Sequence, residues 1–371
     1  MKKSFLLMAT AALFAACASD SVRENIAEDQ VEIGFSTYIQ KPVASKADNS
    51  TAENLNDLEA YHQNFVVNGF KTVATTETQV FANQSVTYAD SKWGYSPVSY
   101  WDKSASKYSF YAAAPQTATW TFVNDDTKGK YYTISNFTAP GTSLPLETAD
   151  APDAAAVFGA EDLMIATDIP AHTTFTAEAV NFTFNHILSR FNIAISTSIT
   201  DGTVTLKSLT VNGIANTGSF DESLAAASTA GSTARWTASG STTLTAVKGE
   251  GNADVVVNED NQFVYQGLVI PQVAEAATIA LNGTDAVTSA KPYLNIQYSI
   301  TTGEGATAKS QDYSYFYNLA DLFNGKGSSN LAFNEGWQNN LYITIGAAAI
   351  NFDAQVYEWA TQTPGGNLEI E

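Results

Sequence analysis

Val31, Ile33, Phe35, Thr37 and Ile39 alternate with Glu32, Gly34, Ser36 and Tyr38. A period of two puts neighbouring side chains on opposite faces of a pleated strand, so one set must find a core and the other water. The alternation returns at Val180, Phe182, Phe184 and His186, after which Phe191, Ile193 and Ile195 take the opposite parity. One strand cannot change parity without turning its hydrophobic set outward. The pattern therefore predicts a bulge or break near Ser189-Arg190. Further strands are expected at 108–114, closed by Pro115, and at 131–137, 204–211, 255–257, 263–270, 278–281, 293–300, 341–345 and 350–356. Segments 45–56 and 140–160 read as loops, and 217–245, rich in Ser, Thr, Ala and Gly, as a loop with weak strands. Only 320–323 has a helical character. With 12% aromatic and 15% charged residues, the chain is neither disordered nor a helical bundle. The expected fold class is all-β, with two tandem antiparallel β-sandwich domains at 47–176 and 177–371.

The N-terminus carries a different signal. Lys2 and Lys3 precede an apolar run over 5–16, the length of a signal-peptide core and too short to span a bilayer. Cys17, the only cysteine of the 371 residues, follows at once. This resembles a bacterial lipoprotein signal, in which residues 1–16 are removed and the new N-terminal Cys17 is acylated. Several acyl chains anchor a protein stably. Ala18 stands where an aspartate would favour inner-membrane retention, so the expected destination is the outer membrane. With no second cysteine there is no internal disulfide, and stability must come from packing. The formal net charge of -20 and the lack of a basic, aromatic-rich cluster exclude nucleic acid as an expected partner.

No catalytic constellation emerges. His62, His172 and His186 lie far apart in sequence and form no metal pair, so no metal and no cofactor are expected. His186 reads as a satisfied inward residue at a strand end. Glu161-Asp162 would point to opposite faces of a strand, unlike a glycosidase pair, and reads as a solvated loop. Asp125 to Gly129 reads as a hairpin turn, and Gly325 to Asn330 lacks the third glycine of a dinucleotide fingerprint. Trp93, Tyr95, Tyr100 and Trp101 could stack on sugar, but strand spacing near a proline favours core and rim packing.

Several short motifs resemble the fimbrillin-like family, the type V pilins and related surface lipoproteins of Gram-negative anaerobes. They are Tyr100-Trp101 with the stretch from Tyr108 to Pro115, Asp162 to Ala166, Phe182 to Ser189, Val269 to Gln272, and Leu341 to Ile345, in the family's order. The resemblance implies two transthyretin-like sandwiches and no enzymatic activity. It implies a fimbrial subunit whose first strand, carrying Val31, Ile33, Phe35, Thr37 and Ile39 within a lipidated pro-segment 17–46, is removed by a protease. A neighbouring subunit's strand then fills the groove. Family members are cut after an arginine; here Lys46-Ala47 is the basic site in that loop, because Lys41 precedes Pro42 and Arg23 lies before the strand. Donor candidates alternate in the same sense: Ile350, Phe352, Ala354 and Val356, then Leu368 and Ile370 beyond a Gly365-Gly366 hinge. The implied partners are other pilin subunits in a head-to-tail polymer, the processing protease and the outer membrane through lipid on Cys17. The second reading is a tip, anchor or stand-alone adhesin that binds host or dietary glycans.

Overall fold

The computed structural model describes residues 30–39, 58, 62–140, 162–166, 172–173, 178–224, 233–246, 253–275, 292–324, 330–347 and 349–358. The predicted strand at 278–281 lies outside them. The first strands are β1 (Phe35–Ile39), β2 (Asn64–Val73), β3 (Thr76–Ala89), β4 (Lys92–Gly94), β5 (Lys107–Ala114), β6 (Trp120–Asp125), β7 (Gly129–Thr138), β8 (Met164–Ala166) and β9 (Val180–His186). There follow β10 (Ser189–Thr197), β11 (Thr203–Ile214), β12 (Thr217–Asp221), β13 (Trp236–Ser239), β14 (Thr242–Thr245), β15 (Val255–Val257), β16 (Gln262–Val269) and β17 (Gln272–Glu275). The chain then continues through β18 (Tyr293–Thr302), β19 (Lys309–Asn318), the short helix α1 (Leu319–Asn324), β20 (Asn330–Phe333), β21 (Trp337–Ile345) and β22 (Ile350–Glu358). The fold is all-β.

The first sheet has seven strands in the order β1-β9-β8-β5-β2-β3-β4. It curls about its own core, built on Ile33, Phe35, Ile39, Phe65, Phe81, Phe110, Phe182 and Phe184, so that its two end strands approach each other. A second core lies between the four-stranded sheet β16-β10-β21-β22 and the five-stranded sheet β14-β11-β18-β19, in which β15 also pairs with β11, with Phe191, Ile193, Val204, Leu206, Ile296 and Leu341 among its buried side chains. The parity argument explains the passage between them. Phe182 and Phe184 fill the first core from β9, the ladder stops after His186, and Phe191, Ile193 and Ile195 fill the second from β10. The predicted break falls at Ile187-Leu188, whose side chains enter a third core with Tyr132, Ile134, Phe220 and Trp236.

Three expectations change. The antiparallel rule has two exceptions, because β1 runs parallel to β9 and β10 parallel to β21. A boundary in front of Val180 would assign β9 to the second half, whereas β9 pairs with β1 and β8 in the first sheet. The halves are also joined by a sheet in the order β13-β12-β7-β6, in which β12 of the expected second domain pairs with β7 of the first. Finally, the described part of 217–245, read as a loop with weak strands, holds the three strands β12, β13 and β14, because Phe220, Trp236 and Leu244 each reach a core.

Candidate functional site: the slot of the first strand

β1 is an edge strand whose five residues face β9 in the register Phe35 with Val180 through Ile39 with Phe184. Its inward set is buried, with Ile33 0%, Phe35 6%, Thr37 4% and Ile39 3% exposed, while Val31 is half-buried at the rim. Phe35 is the hub: its ring lies 5.3 to 6.4 Å from those of Phe65, Phe81, Tyr95, Phe110 and Phe182. Gly69 on β2 makes room beneath it. A Cβ there would sit 2.7 Å from Phe81 and 3.0 Å from Phe110, so any larger residue would push both rings out of place.

The other flank is held by β4 and the chain just beyond it, with the backbone bonds falling on Val31 and Ile33 ahead of β1. The Ile33 amide donates to the Ser99 carbonyl at 3.0 Å, and the Trp101 amide donates to the Val31 carbonyl at 2.9 Å. The Tyr95 hydroxyl donates to the Ile33 carbonyl at 2.7 Å, and burial pushes that phenol up to about 12. The Trp93 indole N–H, on β4, donates to Thr37 Oγ1 at 3.0 Å. Besides this contact and the bond that the Ser36 hydroxyl donates to the Asn181 side-chain oxygen on β9, the slot grips its strand through apolar side chains and backbone groups that any extended segment would present.

A buried polar cluster lies at the end of β9, two residues past Phe184, the partner of Ile39. His186, the last residue of β9, donates from Nδ1 to Asp162 Oδ2 at 2.6 Å, and His62 donates from Nε2 to the Asp162 carbonyl at 2.6 Å. Burial, the largest cause, lowers the His62 pKa against the opposing pull of Asp162. The expectation of a solvated Asp162 is therefore corrected: the residue is 0% exposed because strand β8 begins just beyond it, inside the first sheet. Histidines distant in sequence are brought together by that strand, while among the described residues no group of three or more His, Cys, Asp or Glu could hold a metal ion.

The donor candidates divide. β22 pairs antiparallel with β21 at the end of its sheet. Ile350, Phe352 and Ala354 pack half-buried against the second core, and Val356 is 40% exposed. Cys17, Lys46, Ala47, Leu368 and Ile370 lie outside the described residues. The aromatic cluster packs rather than presenting a platform: Trp101 is 6% exposed, Trp93 and Tyr95 line the first core, and Tyr100 is at the rim. Among the described residues no helix is long and apolar enough to cross a membrane.

Residues 51–359 match the fimbrillin-like family. This chain belongs to that family. A fimbrial protein from Bacteroides vulgatus shares the fold of this fimbrillin-like protein at a TM-score of 0.53 and 15% identity, with 89% of this chain and all of that chain covered. The tip fimbrial protein Mfa3 from Porphyromonas gingivalis aligns at 8% identity and a TM-score of 0.36, over 89% of this chain and 100% of the other. The fimbrial anchor protein Mfa2 from the same organism aligns at 10% identity and a TM-score of 0.30, over 89% and 98%. No curated protein matches the chain.

Proposed function

We propose that this fimbrillin-like protein is a structural pilus subunit, exported as a lipoprotein through Cys17 to the outer membrane and polymerised on the cell surface by strand replacement in support of adhesion. The observation that carries the reading is β1 itself: among the described residues, a terminal strand whose five residues pair with β9, and whose buried side chains plug an otherwise continuous apolar core. Removing Ile33, Phe35 and Ile39 forfeits roughly 5 to 9 kcal/mol of burial, so a vacated slot is a strong template for another alternating strand. β22, extended by the tail with Leu368 and Ile370, supplies that strand from a neighbour. Head-to-tail filling is a heterologous contact that does not close, and it builds a filament.

The cut is assigned to the Lys46-Ala47 bond. N-terminal sequencing of assembled fibres should give Ala47 as the first residue. Fibres, or surface protein, that retain the segment from Cys17 onward would establish the second reading, an anchor, tip or stand-alone glycan-binding lipoprotein that keeps its own β1. The absence of an arginine between β1 and β2 is the observation that favours this second reading.

A further inference from the structure

On its inward face the slot makes one polar side-chain demand that β1 and β22 meet differently. The two strands alternate in the same sense at the same spacing: Ile33, Phe35, Thr37 and Ile39 against Ile350, Phe352, Ala354 and Val356. In β1 the third position is a hydroxyl, 4% exposed, that accepts the Trp93 indole proton at 3.0 Å. In β22 it is a methyl group. An extended strand from a second copy, seated in the direction of β1, reproduces the aliphatic and aromatic contacts and the backbone bonds to Ser99 and Tyr95. It offers the indole nothing.

We infer that Trp93 is the specificity-determining residue of the slot, selecting a strand with a hydrogen-bond acceptor at its third inward position and so favouring resident β1 over the β22 of a neighbouring copy. This rests on the strand-replacement reading and adds to it a preference written into one residue. The consequence is order. The resident strand holds its slot against free subunits until its covalent tether is cut and it can diffuse away, and exchange then proceeds although the incoming strand fits less well. A hydrogen bond in a partly buried setting sets the scale, roughly threefold to tenfold in affinity.

The test uses the full chain with a site-specific protease sequence inserted after Ala47, folded and then cut so that β1 stays in place untethered. Labelled peptides of residues 350–358, native or with Ala354→Thr, compete for the slot. The Ala354→Thr peptide should enter threefold to tenfold more tightly, and the advantage should vanish in Trp93→Phe protein. Equal entry of the two peptides into the native slot overturns the inference. Failure of both to enter, while a labelled β1 peptide also stays out, overturns the strand-replacement reading instead. A double-mutant cycle on the uncut chain, Thr37→Val against Trp93→Phe, reads the contact independently of exchange. Denaturant midpoints that show no coupling between the two changes overturn the inference even if the peptides differ.

Discussion

Phe35 meets five other rings, and the packing beneath it depends on a glycine, so its truncation leaves a cavity that backbone collapse cannot easily fill. Phe35→Ala should lower unfolding stability by about 3 to 5 kcal/mol, read from urea or guanidinium midpoints. His62 sets a pH dependence. Its folded pKa lies below the ordinary 6.5, chiefly through burial, so below about pH 6.5 the unfolded chain binds a proton that the folded chain refuses. Stability should therefore be fullest above that pH and fall as acid is added until the folded pKa is passed. His62→Gln, which can still donate toward the Asp162 carbonyl, should flatten that decline in thermal melts taken from pH 7.5 to 5. The part that His172 contributes will remain, because burial lowers its pKa as well. The inward set of β1 was legible in the sequence because alternation alone defines a face. The role of Asp162 was not, since a carboxylate's burial is decided by which distant strand arrives beside it.

Strands whose apolar residues alternate cleanly appear where the pattern put them, including β1, β9, β18 and β22. β19 escaped notice, because an edge strand reading KSQDYSYFYN has no buried face to impose alternation. Its tyrosines Tyr313, Tyr315 and Tyr317 do alternate, but they pack on Tyr298 and one another, and Tyr313 and Tyr317 are only partly buried against the second core. The parallel pairing of β1 was equally hidden, since side-chain parity carries no information about strand direction. At this scale β22 is the element to perturb. Its ladder to β21 runs from Ile345 with Ile350 to Trp337 with Glu358, so a deletion starting at Thr361 spares every pair. The 361–371 deletion should give a folded monomer, with unchanged circular dichroism, that no longer polymerises after proteolysis. Normal fibres from that variant would place the donor contact entirely within β22.

For the molecule as a whole, the expected two halves share more than a linker. β7 and β12 form one ladder, and the Trp236 indole donates to the Ile187 carbonyl at 2.7 Å, at the point where the chain passes from one core to the next. Hydrophobic periodicity marks which residues are buried but not which of several cores receives them, so the passage between β9 and β10 shows in the sequence as a break and not as a step from one core to another. The surface address is tested at the same scale: metabolic labelling with a fatty-acid analogue should mark the protein, and Cys17→Ala should abolish the mark. The parallel ladder of β1 on β9 also has a mechanical side. A subunit held to its neighbour by a strand in this slot and pulled along that strand is strained in shear, so the bonds at all five register positions resist together. A ladder peeled from one end would give way one bond at a time. A strand seated in this groove would therefore be released reluctantly under flow.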